Sequence, residues 1–202
     1  MKASVALLVG IVLGVLALGA LRFALAEPPH PPHFHANFAI FVDGKRVDLS
    51  GNQFMEEVSA CRSTPGNVAP QQRAHLHNND PDVAHVHHDG VTWGHLLANL
   101  GFGLGDRYLS TRGDHLYTEG GGKTLKLVLN GKPELSVRNR LIGSGDRLLV
   151  SYGAESEAEL LRGQFPAVAS NAEEFNRRPD PAGCSGAHDP TLWERVRYAF
   201  MG

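Results

Sequence analysis

The sequence predicts an α+β domain: a mixed sheet with a crossing helix, β-grasp-like, plus C-terminal helices. Three observations carry that expectation. From His33 to Val42 the chain alternates with period two, as a half-buried strand requires. Asp43-Gly44 and Asn130-Gly131 each follow an apolar run and precede a lysine, which marks two tight hairpins. Between the hairpins Trp93, Leu96, Leu97 and Leu100 recur at helical spacing and supply the crossing helix.

In chain order, Met1-Lys2 precedes an uncharged apolar run from Ala3 to Leu21. As a helix the run spans about 28 Å, close to the roughly 30 Å of bilayer hydrocarbon. That length favours an uncleaved, single-pass anchor in the cell membrane. Ala24-Leu25-Ala26 has the small-x-small form of a signal-peptide cleavage site, so a cleaved signal is the alternative. Either way the remaining chain is expected outside the cytoplasm, periplasmic or extracellular if cut after Ala26. Residues 1–26 are thus anchor or signal peptide, and 27–32 a Pro-rich, semi-rigid spacer. Residues 33–153 form the histidine-rich α+β domain and 154–202 a helical C-terminal extension.

In the first strand Phe34, Ala36, Phe38, Ile40 and Val42 share one face, and His33, His35, Asn37, Ala39 and Phe41 the other. Ser50 to Arg73 is irregular, with a turn of helix around Gln53 to Ser59. Ala74 to His77 and Val83 to His88 are short strands separated by the turn-forming Asn78 to Asp82. Thr92 caps the crossing helix and Gly101 closes it. Gly120 to Thr124 ends like a phosphate loop, but Tyr117 stands where the first glycine belongs and a strand follows, so it is a loop before the second hairpin. Thr124 to Leu129 and Lys132 to Val137 form that hairpin, and Arg147 to Tyr152 is the final strand.

Beyond Gly153, Glu155 to Gln164 and Asn171 to Asn176 are helix candidates. A Pro/Gly-rich connector from Arg177 to His188 leads to Asp189 and Pro190, a cap and first-turn proline. Leu192, Val196 and Ala199, flanked by Trp193 and Phe200, then form an apolar stripe. Packing on the domain is the expectation for this helix, with docking of Leu192–Phe200 on a membrane protein or the bilayer surface as the alternative.

The formal charge is −2 with acids and bases interspersed, and no basic patch is interleaved with aromatics, which argues against nucleic acid as a partner. Cys61 and Cys184 are the only cysteines and, in an oxidising compartment, are expected to form one disulfide. No Cys-x-x-Cys occurs to support thiol redox catalysis.

The chemistry lies in the histidines. His33-Phe34-His35, His75-Leu76-His77 and His85-Val86-His87 each bracket one apolar residue. Chance placement of 11 histidines in 202 residues gives about 0.6 such pairs, so three is an excess. On a strand each pair points to one face while Phe34, Leu76 or Val86 points into the core, so three short strands could converge on one site. An all-imidazole site suits Zn or Cu, and the absence of Met-rich or Cys-rich motifs argues against a dedicated Cu(I) carrier. Asp80, Asp82 and Asp89 are candidates for further ligands or for orienting imidazoles, although each also sits at a turn. His30 sits in the spacer and His188 in the connector, and His88 falls on the core side of its strand by parity unless the strand ends first. His115 could join the site although no spacing requires it, and His95 falls opposite the leucine stripe, where an exposed side chain is expected.

The function this implies is an extracytoplasmic, membrane-anchored metal-binding protein, for Zn or Cu handling or as a metal-stabilised accessory subunit of a membrane complex. A metal-free interaction module with a histidine-lined surface is one alternative. A metal-dependent hydrolase or lyase is another, but no motif assigns its base or open position.

His33-Phe34-His35-Ala36, Asp43-Gly44, Ala84-His85-Val86-His87, Gly90-Val91-Thr92-Trp93-Gly94, Leu129-Asn130-Gly131-Lys132 and the run Gly145 to Gly153 together resemble a family of membrane-anchored extracytoplasmic proteins of bacteria and archaea. Its members carry an N-terminal span and His-x-His strands. The resemblance covers about residues 33 to 153 and implies the topology and the histidine strands, without supplying a reaction.

Overall fold

The computed structural model describes residues 2–25, 32–56, 69–113, 115–178 and 191–201. It contains two compact units, one made of residues 1–30 with 187–202 and the other of residues 31–186.

The larger unit is α+β. Its mixed seven-stranded sheet comprises β1 (Phe34–Val42), β2 (Lys45–Arg46), β3 (Ala74–His75), β4 (Val83–Val86), β8 (Thr124–Leu129), β9 (Lys132–Glu134) and β10 (Arg147–Gly153), in the order β3-β4-β1-β10-β8-β9, with β2 beside β1. A separate three-stranded sheet holds β5 (Gly103–Leu104), β6 (Tyr108–Ser110) and β7 (Leu116–Thr118). β1 lies parallel to β10, from Asn37↔Arg147 to Val42↔Tyr152. Its other edge is divided: β4 takes the first half, Phe34↔Val86 to Asn37↔Val83, and β2 the last two residues. Both expected hairpins form. Asp43 and Gly44 have φ of 50° and 73°, and Asn130 and Gly131 have 53° and 78°. These left-handed pairs are what a two-residue turn matching strand twist demands.

The alternation in β1 assigns its two faces. Ala36, Phe38 and Ile40 enter the main core with Leu76, Val86, Leu148 and Val150. The crossing helix α3 (Trp93–Asn99) closes that core with Trp93, Leu96 and Leu97, all fully buried. Thr92 caps it as expected, its Oγ1 accepting from the His95 amide at 3.2 Å, and Gly101 ends it at φ 84°.

On the opposite face Ala39, Phe41, Val128 and Leu149 pack against Leu160 and Val168. The chain from Glu155 to Gln164, expected as one helix, is instead a helical turn α4 (Glu157–Glu159) and a wide π turn (Leu160–Gln164), followed by a 3₁₀ turn (Phe165–Ala167). Pro166, in the first turn of the 3₁₀ piece, has no amide hydrogen to continue the wider helix. Arg147 fastens this segment down: its Nε donates to the Ala169 carbonyl at 2.9 Å and its guanidinium lies 4.7 Å from the Phe165 ring. The next helix, α5 (Ala172–Asn176), then crosses β1, tied by a 2.9 Å bond from the Ala172 amide to Asn37 Oδ1.

Several local expectations change: the strand beginning at Ala74 stops at His75 rather than His77. The strand beginning at Lys132 stops at Glu134 rather than Val137, and the strand beginning at Val83 stops at Val86 rather than His88. The irregular 50–73 stretch holds a 3₁₀ turn at Asn52–Phe54 and the short α2 (Pro70–Arg73). The cysteine pair Cys61 and Cys184, with the cap at Asp189 and Pro190, lies outside the described residues.

In the smaller unit α1 (Lys2–Leu25) is long and apolar enough to cross a membrane, and could serve as anchor or signal sequence. The last helix, α6 (Leu192–Met201), runs antiparallel to its final turns. Arg195 stacks on Phe23 at 4.7 Å and Arg22 on Tyr198 at 5.0 Å. Gly19 leaves the room that the Phe200 ring fills: a Cβ there would collide with Phe200 Cε1. The apolar stripe of α6 is therefore covered in part by α1 at Ala199, while Leu192 and Trp193 stay more than two-thirds exposed.

Candidate metal centre

Strand register assembles the histidines. His35 of β1 is paired with His85 of β4, and His85 with His75 of β3, so three imidazoles form a row across neighbouring strands. His33 and His87 lie one pleat along on the same side, and His77 follows β3 with the same parity. The residues between them behave as expected: Leu76 and Val86 are buried in the main core and Phe34 packs against it.

All six imidazoles belong to one cluster, and His85 is its hub. Its ring centroid lies 3.6 Å from His77, 4.3 Å from His35, 6.0 Å from His75, 6.2 Å from His87 and 6.5 Å from His33. His33 and His87 stack at 4.8 Å, and His75 and His87 at 5.0 Å. Five of the six are buried, at 1–4% exposure, and His33 is half-buried. Burial pushes the His85 imidazole far below the usual histidine range, and the surrounding His77, His35, His75 and His87 rings push it further. A neutral imidazole is the form that binds a metal.

His33, His85 and His87 each offer one nitrogen within 4.8 Å of the others, so these three could hold a metal ion. Zn–N bonds of 2.0–2.1 Å at tetrahedral angles place ligand nitrogens about 3.4 Å apart. Three imidazole nitrogens gathered within 4.8 Å are, by donor chemistry, a set that fits a metal ion.

Other groups hold the rings in place. Asn176 Oδ1 accepts from the His35 amide at 2.8 Å and lies 2.9 Å from His35 Nδ1. His35 Nε2 and His85 Nδ1 are 2.8 Å apart, and His75 Nδ1 lies 3.0 Å from the Gln71 carbonyl. Phe175 walls the site 5.7 Å from His35 and 6.2 Å from His85. None of Gln71, Phe175 or Asn176 carries a local sequence signal; their roles depend on α2 and α5 being brought to the cluster.

The acidic candidates have other partners. Asp80 accepts from the Asp82 amide at 3.0 Å, fixing the turn, and Asp82 forms an ion pair with Arg46. Burial raises the Asp82 carboxyl, with Arg46 opposing and Asp80 adding to the rise. Asp89 is exposed beside Gly90. Among the remaining histidines, His95 is exposed as expected and accepts from the Thr92 amide at 3.2 Å. His88 is half-buried with Nδ1 2.8 Å from the Asp89 carbonyl, and His115 is exposed. His30 and His188 lie outside the described residues.

The chain matches no protein-family model, no curated protein and no solved structure. What it shares with the family it resembles is coarse: an N-terminal apolar helix and a histidine cluster.

Proposed function

We propose that this chain is an extracytoplasmic, membrane-anchored protein that binds a divalent transition metal, zinc or copper, through its histidine cluster. The observation that carries this is the convergence of His33, His85 and His87, with one donor nitrogen each inside a 4.8 Å group. His75 and His77 stand beside that group as further imidazole donors. Burial supports the same conclusion, because a dry imidazole cluster stays neutral and ready to coordinate. The role is metal handling, or service as a metal-stabilised subunit of a membrane complex. Ala3–Leu25 supplies the anchor, and the exposed apolar side chains of α6 supply contact with the bilayer or a membrane protein. In this proposal the domain is β-grasp-like, on the ground of the parallel β1–β10 pair, the β8–β9 hairpin beside it and α3 across one face.

Elemental analysis of protein purified without a histidine tag, with thermal unfolding with and without Zn²⁺ at about pH 7.5, tests it. At a hundredfold excess over the dissociation constant, binding to the native state alone stabilises by about 2.7 kcal/mol. His87→Ala is expected to lose most of that gain and His95→Ala to keep it. No bound metal and no shift with Zn²⁺ or Cu²⁺ would leave the histidine surface to a metal-free interaction role.

A further inference from the structure

We infer that Asn176 and His35 form a hydrogen-bond relay that fixes His85 as the Nδ1–H tautomer, so that His85 presents Nε2 to the metal and His35 is a positioning residue. The role of the relay rests on the metal-binding proposal; the tautomer does not.

One group in this chain of contacts has no choice of role. The His35 backbone N–H can only donate, so the Asn176 atom 2.8 Å from it must be the amide oxygen. That assignment turns Asn176 Nδ2 toward Ser144 Oγ, which accepts at 2.9 Å. The same oxygen lies 2.9 Å from His35 Nδ1, and two acceptors cannot bond, so His35 Nδ1 carries the hydrogen. A neutral imidazole has one N–H, which leaves the lone pair of His35 on Nε2. A cationic ring at His35, 2% exposed and pressed against other imidazoles, would carry the full cost of a buried charge. His85 Nδ1, 2.8 Å from that lone pair, must therefore donate, and the free lone pair of His85 is on Nε2.

Each step passes polarity inward. The amide oxygen holds the His35 hydrogen, and His35 in turn accepts from His85, which makes the outer nitrogen of His85 more basic and fixes its ring plane. His35, with Nε2 already accepting, is unsuited to be a ligand.

The test uses the full chain in detergent micelles at about pH 7.5 with ring-¹⁵N histidine and chelator present. Long-range proton–nitrogen correlation reads the tautomer, and loss of one ring's signals in His85→Gln assigns His85. The expected result is a hydrogen on Nδ1 of His85 in wild type, retained in Asn176→Asp, whose carboxylate still accepts, and lost to a mixture in Asn176→Leu. Zinc affinity should fall about 10–100-fold in Asn176→Leu and stay within a few-fold of wild type, or tighten, in Asn176→Asp. His85 found as the Nε2–H tautomer overturns the relay, as does Asn176→Leu with tautomer and affinity unchanged. Should Asn176→Leu fail to fold, the wild-type and Asn176→Asp spectra decide. An Nδ1–H His85 in a protein that binds no zinc would uphold the relay and refute the metal.

Discussion

Acid should weaken the metal-free domain through His85 in a way that a single substitution removes. Burial and the neighbouring imidazoles hold the folded-state pKa of His85 well below that of the unfolded chain, about 6.5. Below that value the unfolded chain binds a proton that the folded one refuses, so stability rises with pH and falls with acid. One such group costs about 1.4 kcal/mol for each pH unit below 6.5, or about 2 kcal/mol between pH 7.5 and 5.0. Glutamine at position 85 is neutral throughout and keeps an amide able to bond His35. Urea unfolding of residues 31–186, a compact unit with its own core, measures the effect across that range with chelator present. The wild-type profile should fall about 2 kcal/mol further than that of His85→Gln. Parallel profiles would mean that His85 protonates freely in the folded state and that burial does not exclude the proton.

Leu97→Ala, at a fully buried position under the sheet, should cost about 2–5 kcal/mol, read as a lower urea midpoint at unchanged slope. If Ala3–Leu25 spans a membrane, intact protein should stay with membranes through high-salt and alkaline washing, whereas a mature N-terminus at Glu27 by mass spectrometry would establish cleavage after Ala26. Protein made in an oxidising compartment should show no thiol that labels under denaturing conditions if Cys61 and Cys184 are bridged, and two reactive thiols would refute the bridge.

Much of this was legible locally. The two-residue period of β1 announces both faces, and the Asp-Gly and Asn-Gly turns announce the hairpins because few residues other than glycine, asparagine and aspartate tolerate left-handed backbone. Even the side on which each histidine pair falls follows from Phe34, Leu76 and Val86. What periodicity omits is register: that His85 stands between His35 and His75 is a property of three strands. Asn176 lies 141 residues from His35, and no pattern in a five-residue helix marks it. The small β5–β7 sheet also went unforeseen, since strands of two or three residues among glycines are too short to display a period.

The parallel pairing of β1 with β10 joins segments about 110 residues apart, beginning at Asn37 and Arg147. Contacts of that sequence separation are slow to form, because the intervening chain must be ordered first. The centre of the sheet therefore waits for almost the whole domain to be synthesised, and the Asn176 contact with His35 waits longer still. A chain that is threaded across a membrane unfolded would have no cluster to fill on the near side. On the metal-binding proposal, such a chain would select its ion only from the side to which synthesis and export deliver its last strand.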